Sequence, residues 1–448
     1  MHLLFLTDNF PPETNAPATR TYEHARRWVR AGHRVTVVTG APNFPAGKLH
    51  PGYRNRWFAR EELDGIQVIR VKTWISANQG TLRRMLDYLS FMVMGFVGAL
   101  VPRKPDLIVA TSPQFFTAVA GWAVAALRRK RFVFELRDLW PASIAAVGAM
   151  RENRFLVLME RVELFLYRSA WRIVAVTSAF KSDLIARGID GSKIAVVTNG
   201  VDLEAYQPRE RDASCAREYG ATDRIVVGYL GTHGMAHALG NVLDAAELLR
   251  ERDDIRFLFV GDGAAKAELV AACTARNLLN VSFHDPVGKS AMPALWSICD
   301  LALVHLKNTP VFETVIPSKI FEALGAGRAV LFAGPDGEAS QILREADCGA
   351  CVPAEDPAAL ARTIATLADD TAERARLAHN AQLAAPGYGR DALATRMLQV
   401  LEGGAIESQP TSQPAQQATA HFAAPVDPPS PLPEPSAPAR PKQPVAPD

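Results

Sequence analysis

Leu301-Ala302-Leu303-Val304-His305, then Ile316-Pro317-Ser318-Lys319-Ile320-Phe321-Glu322-Ala323-Leu324-Gly325, then Ala329-Val330-Leu331-Phe332-Ala333: these three segments lie in one continuous stretch of the chain. The outer two are short and almost wholly apolar, the pattern of strands covered on both faces. In the middle segment Pro317 is preset for the first turn of a helix, and Ile320, Phe321, Ala323 and Leu324 supply a face to bury. Strand, helix and strand in that order make a βαβ unit of a parallel sheet.

The alternation continues in both directions. Toward this unit the second half of the chain predicts strands at Arg224–Leu230, Arg256–Val260 and Val281–His284, and beyond it at Ala350–Val352. The first half predicts Leu3–Thr7, Arg34–Thr39, Gln67–Val71, Leu107–Thr111, Phe132–Leu136 and Arg172–Thr177, with a helix at Arg20–Ala31 ending at Gly32. Between the halves, Asn199-Gly200-Val201-Asp202 reads as an N-G turn opening a polar linker. The fold class is therefore α/β, with two Rossmann-like, doubly wound domains. Each sheet opens a crevice at its C-terminal strand ends, so the pair is expected to face an interdomain cleft. The expected divisions are 1–203, 204–387, a last helical segment 388–403, and a tail 404–448. That tail holds twelve of the 31 prolines and is expected to be disordered.

Length and composition fit two cores rather than one. Hydrophobic residues make up 48% and charged residues 21%, and Lys+Arg 49 against Asp+Glu 47 gives no sign of a nucleic-acid partner. Five cysteines, an odd number without framework spacing, point to a reducing compartment, and Cys348-Gly349-Ala350-Cys351 is read as a structural thiol pair. The N-terminus lacks the basic region of a signal peptide, and the apolar run Tyr88–Val101 is shorter than the roughly 20 residues that a spanning helix needs.

Five segments carry chemistry. The turn Asp8 to Arg20, with Thr14 and Asn15, follows the first strand; it lacks G-x-G-x-x-G, so a nicotinamide or flavin cofactor is not expected, and an ordinary βα loop fits it equally well. Arg137-Asp138 follows a strand directly, placing a carboxylate at the cleft mouth to take a proton or hold a hydroxyl; a structural ion pair is the alternative. Gly228-Tyr229-Leu230-Gly231-Thr232-His233-Gly234 offers backbone amides to a diphosphate, although glycines there also serve close packing. Val260-Gly261-Asp262-Gly263 is either the border of a base site or a tight turn. In Glu313 to Val330, Ser318 and Lys319 stand at the positive end of a helix with Glu322 one turn along. Lys319 and the helix amides suit phosphate, and Glu322 suits two ribose hydroxyls.

Taken together, Pro11-Pro12-Glu13, His33-Arg34-Val35-Thr36-Val37-Val38-Thr39, Arg137-Asp138-Leu139-Trp140-Pro141, Asn199-Gly200-Val201-Asp202, Gly261-Asp262-Gly263 and Ile316 to Glu322 are similar to the motifs of one family. Residues 1 to about 403 resemble a retaining glycosyltransferase of family 4 with the GT-B fold. The likeness is greatest to the bacterial branch that adds amino sugars such as N-acetylfucosamine to surface polysaccharides. The resemblance implies that 1–203 binds the acceptor, that 204–387 binds a nucleotide-sugar donor, UDP-sugar before GDP-sugar, and that the helix near Arg390–Glu402 crosses back to the first domain. It makes Glu322 the second Glu of an E-x7-E motif. The first would fall at 314, which is Thr314, with Glu313 one residue early; either Glu313 is brought into place by a bulge, or Thr314 and Ser318 take over the donor-sugar contacts, the option preferred.

Relatives carry an Arg and a Lys after the position of Gly231, whereas here Thr232-His233-Gly234-Met235-Ala236-His237-Ala238 has neither. Charge compensation is then expected from Lys319, helix amides, and His233 or His237. Where the family has a His, this chain has Arg137-Asp138, which leaves Asp138 for the acceptor. The implied reaction retains configuration, with Asp138 and Glu322 as the key carboxylates and no metal, since no D-x-D triad stands out. The implied acceptor is a lipid-linked saccharide at the cytoplasmic face of the inner membrane, with Tyr88–Val101, Trp74 and flanking arginines as a possible peripheral contact. A nucleotide-sugar epimerase of the same fold and a binding module without turnover are the rival readings; the first needs carboxylates and histidines at the first domain's strand ends, the second needs nothing at Asp138.

Overall fold

Short β-branched and aromatic runs between Gly- and Asp-containing turns assemble into two sheets in the computed structural model, which describes residues 1–44, 47–75, 81–112, 114–139 and 154–406. The first sheet contains β1 His2–Leu6, β2 Arg34–Gly40, β3 Phe58–Leu63, β4 Ile66–Val71, β5 Leu107–Thr111, β6 Arg131–Leu136, β7 Arg172–Ala175 and β8 Ile194–Val196, in the order β3-β4-β2-β1-β5-β6-β7-β8. The second contains β9 Ile225–Leu230, β10 Ile255–Val260, β11 Val281–His284, β12 Leu301–His305, β13 Ala329–Ala333 and β14 Gly349–Val352, in the order β11-β10-β9-β12-β13-β14. Every pairing is parallel except β3 with β4. In each sheet the order reverses beside the first strand, between β1 and β5 and between β9 and β12, the place where a doubly wound sheet opens its ligand crevice.

The first lobe is covered by α1 Ala16–Arg30, α2 Thr81–Ala99, α3 Phe115–Arg128, α4 Arg154–Ser169 and α5 Ser178–Ala186. The second carries α6 Ala213–Glu218, α7 Gly240–Leu248, α8 Lys266–Ala275, α9 Met292–Ile298, α10 Ser318–Gly325, α11 Glu338–Glu345, α12 Pro357–Asp369 and α13 Thr371–Ala384. The last helix, α14 Arg390–Glu402, lies on α1: Trp28 Nε1 donates to the Ala394 carbonyl at 2.9 Å, and Leu393, Met397, Val400 and Leu401 join the core around Leu3 and Phe5.

Two strands are absent from the sequence reading. β3 is an edge strand whose Arg60, Glu61 and Glu62 break the apolar pattern, a common guard against edge pairing, and β8 is only three residues long. Asn199-Gly200 is also not the turn expected. Gly200 does not have a positive φ; a Cβ there would strike the Tyr388 carbonyl. Glycine lets two chain crossings run side by side, with Val201 N donating to Tyr388 O at 3.0 Å and Arg390 N to Val201 O at 2.9 Å.

The run Tyr88–Val101 falls largely in α2, with Phe91 and Ala99 buried and Leu86, Val93 and Val97 exposed. No helix among the described residues is long and apolar enough to cross a membrane. Cys348 is buried and Cys351 lies on β14, both as free thiols. Trp140, Pro141 and residues 407–448 of the tail lie outside the described residues.

Candidate functional site

Helix α10 begins at Ser318 because Pro317, extended at φ −62° and ψ 129°, stops the preceding chain from joining it and leaves the first amides without a side-chain cap. The same face of this helix start carries Lys319 and, one turn on, Glu322. The Lys319 ammonium lies 3.8 Å from the centre of the Tyr229 ring, at the end of β9. Burial lowers the Lys319 pKa to about 7, with Glu322 pulling the other way. The Glu322 carboxyl is raised by burial, and Trp296 Nε1 donates to its Oε2 at 3.3 Å, opposing that shift. Gly231 adjoins this group with φ +134°, and a Cβ there would stand 2.5 Å from Lys319 Cε. Only glycine lets the β9 loop pass under the lysine.

Two loops interlock beside Gly231. His233 N donates to Asp262 O at 2.9 Å, and Gly261 packs its backbone against the Gly231 carbonyl. Thr232 is exposed, and its carbonyl accepts from Tyr229 Oη at 2.7 Å. Asp262 is also exposed and accepts from Gly263 N at 2.8 Å. The expectation that His233 compensates phosphate is corrected: its ring is fully buried among Tyr229, Phe259 and Phe283, and burial, then Lys266 and Lys319, lower its pKa to about 4. Burial and Lys319 likewise take His237 to about 4, while its Nδ1 lies 3.2 Å from the His305 carbonyl. Neither histidine brings a positive charge at neutral pH.

Glu313 and Thr314 sit in a short 3-10 turn, Pro310–Thr314, and line a cavity of about 500 Å³ together with Glu338, Gln341 and first-lobe residues Ser178 and Ser182. Thr314 Oγ1 donates to the Val311 carbonyl at 3.0 Å, and Glu313 is exposed. Ser318 is exposed at the helix start. Across this cavity Glu338 caps α5 of the other lobe, accepting from Ser178 N at 2.5 Å and Ala179 N at 2.7 Å.

On the first lobe Asn15 stands in the loop between β1 and α1 and caps that helix: Oδ1 accepts from Ala18 N at 3.1 Å and Nδ2 donates to Asn9 Oδ1 at 2.8 Å. Thr14 is exposed and its carbonyl accepts from Thr19 Oγ1 at 3.3 Å. Glu13 is buried and accepts from Phe10 N, Asn43 N and Phe44 N at 3.1, 2.9 and 2.9 Å, so the Pro11-Pro12-Glu13 motif ties the β1 and β2 loops together. Arg137 N and Asp138 N both donate to Ser112 Oγ, at 2.7 and 3.3 Å, which fixes the turn after β6. They do not form the ion pair considered as an alternative; the buried pair beside them is Arg20 with Glu135, at 2.8 Å.

Sequence reading missed Lys289, Trp296, Ser112 and Glu338. Lys289 bridges the lobes, its Nζ donating to Thr19 Oγ1 at 2.7 Å, and its pKa is lowered by burial and Arg390 but supported by Glu23 and Glu322. Its one sequence signal is the Gly288-Lys289 step after β11. The Glu322 partner Trp296 lies on a different helix and gives none.

Residues 17–205 match Glycosyltransferase Family 4, and residues 216–384 match Glycosyl transferases group 1. The glycosyl transferase WcaI of Escherichia coli (strain K12), assigned to colanic acid biosynthesis, is 25% identical over 351 residues, covering 76% of this chain and 86% of that protein. WbjE of Pseudomonas aeruginosa, named as a glycosyltransferase, is 24% identical, covering 58% of this chain and 66% of its own. Among solved structures, sucrose-phosphate synthase from Thermosynechococcus elongatus superposes with a TM-score of 0.70 at 16% identity, over 90% of this chain and 98% of that one. Anabaena Alr3699/HepE in complex with UDP gives a TM-score of 0.64 at 19% identity, over 90% and 100%.

Proposed function

This chain belongs to glycosyltransferase family 4, with the GT-B fold and a place in polysaccharide biosynthesis, and from that premise we propose that it transfers an amino- or deoxy-sugar, with retention, from a nucleoside diphosphate to a lipid-linked saccharide. The observation that carries the reading is the grouping of Gly231, Lys319 and Glu322 at the switch point of the second sheet. Open amides at the start of α10 and the Lys319 ammonium suit a diphosphate, and Glu322, held by Trp296, suits ribose hydroxyls. A bound diphosphate would also draw the lysine back to its charged form, because the two opposite charges stabilise each other.

In this reading the diphosphate leaves toward Lys319 and the helix amides while an acceptor hydroxyl approaches from the same face. Asp138, at the C-terminal end of β6, orients that hydroxyl or takes its proton. Positioning and charge stabilisation supply most of the rate. UDP is the favoured donor base, in keeping with the UDP complex of the Anabaena relative. A lipid-linked acceptor is in keeping with the exposed apolar side chains Leu86, Val93 and Val97 of α2 and Leu127 of α3, which Arg83, Arg129 and Lys130 flank in sequence. Trp74 is held beside α2 by its N–H to Ser90 Oγ at 2.7 Å, and is also exposed. Peripheral contact with the cytoplasmic side of the inner membrane follows from that acceptor.

The test is sugar transfer from labelled donor to a membrane lipid fraction. Glu322→Ala should abolish donor binding, and Asp138→Ala should keep donor binding but stop transfer. Normal turnover by both variants would remove the site assignment. A melting-temperature screen against UDP, GDP and their sugars identifies the base, since ligand at 100 times its dissociation constant stabilises by about 2.7 kcal/mol.

A further inference from the structure

Arg137 carries a charge that its own surroundings leave over. It follows β6 directly, on the edge of the first sheet that opens to the cleft. Its Nε and Nη1 are buried and meet no hydrogen-bond acceptor among the described residues. Glu135, two residues back, accepts from Arg20 Nε with its Oε1 at 2.8 Å, and its Oε2 is likewise buried without a hydrogen-bond partner among those residues. Arg20, Glu135 and Arg137 together hold two positive charges and one negative. Burial lowers the Arg137 pKa to about 10, Glu135 opposing and Arg20 adding to the shift. On α1, His24 also lies under its influence, buried and held neutral by burial and by Arg20, Arg137 and Arg390.

Buried guanidinium N–H groups without acceptors are costly, and beside a cleft they suit an anionic ligand. The other wall of the cleft shows the matching shortage. Its loop from Thr232 to Ala238 has no lysine or arginine, and both histidines there are neutral, which leaves Lys319 against a diphosphate. We propose that Arg137 reaches from the first lobe to hold diphosphate oxygens bound in the cleft, through guanidinium N–H groups that find no acceptor among the described residues. The inference rests on the nucleotide-sugar reading above. A guanidinium fork matches paired phosphate oxygens in a way that a lysine does not. Two diphosphates meet the description, that of the donor and that of the lipid-linked acceptor.

Arg137→Gln and Arg137→Lys, in the full chain, separate these cases. Binding is titrated with pyrophosphate, UDP and GDP, with uridine and guanosine as controls that lack phosphate, and KM is measured for a polyprenyl-diphosphate-linked sugar. If the fork holds the donor, Arg137→Gln weakens nucleoside diphosphate binding about 10- to 100-fold and leaves nucleoside binding unchanged. It should melt no lower than the wild type, because a buried unpaired charge has gone. Arg137→Lys should fall between the two. A rise confined to the acceptor KM assigns the fork to the acceptor diphosphate. Unchanged diphosphate affinity with unchanged acceptor KM overturns the inference, as does a lower melting temperature with nucleoside and nucleoside diphosphate affinity falling in step. Wild-type protein that binds neither pyrophosphate nor either nucleotide removes the donor reading and this inference together; wild-type binding with indifferent variants removes this inference alone.

Discussion

Lys319 sits where its charge is both wanted and costly. Its folded pKa, lowered by burial to about 7, lies below the model-compound value of 10.5. A diphosphate needs the protonated form, so donor affinity should be level below pH 7 and fall by up to tenfold per unit above it, as binding takes up a proton. Calorimetric titration from pH 6 to 9 checks this, with Lys319→Arg, which stays charged, as the flat control. The sign for stability is the reverse: between about pH 7 and 10.5 the unfolded chain binds the extra proton, so Lys319 penalises folding least at the alkaline end. Gly231→Ala tests the same place sterically. Its Cβ would push Lys319 from below at a φ of +134°, so donor dissociation constants should rise roughly tenfold and stability should fall by about 1–3 kcal/mol. Lys319 and Glu322 were legible in the sequence because a proline-led helix start and a three-residue spacing mark them locally. Arg137 was legible as a position, but its lack of acceptors was not, since that depends on where Arg20 sends its own guanidinium.

At the scale of the element, the loop between β1 and α1 is a tied structure. Asn15→Ala removes the cap of α1 and should cost about 1 kcal/mol in urea unfolding while leaving kcat unchanged; a large loss of kcat at unchanged stability would give Asn15 a direct role in the cleft besides the cap. Strands such as β12 and β13 could be bounded from sequence because both faces are buried and Asp300 and Gly334 mark their ends. β3 could not, because a charged edge strand satisfies only its partner β4 and keeps no apolar period of its own. The helix α1 was placed from Arg20, four residues late, since its first turn is built from Ala16, Pro17 and Ala18 and carries no amphipathic signal.

For the whole molecule, the alternation of strand and helix was enough to foresee two doubly wound sheets, but not how they touch. The Glu338 carboxylate on the α5 amides and the Lys289 bond to Thr19 join residues 160 and 270 positions apart, and no local pattern announces either. Glu338→Ala removes two hydrogen bonds from a carboxylate to backbone amides between the lobes. Small-angle scattering should then show a larger radius of gyration without ligand, recovered with saturating donor; an unchanged profile would mean that the lobes are held elsewhere.

The paired crossings at Val201 and Gly389 bear on how such a molecule diversifies. Because the chain leaves the first lobe and re-enters it at adjacent hydrogen-bonded points, residues 202–388 form an insert whose two ends meet. Replacement of that cassette by the same segment of a relative alters two junctions in one small region and leaves the α1–α14 packing untouched. Recombination at this seam would exchange the second lobe entire in a single genetic event.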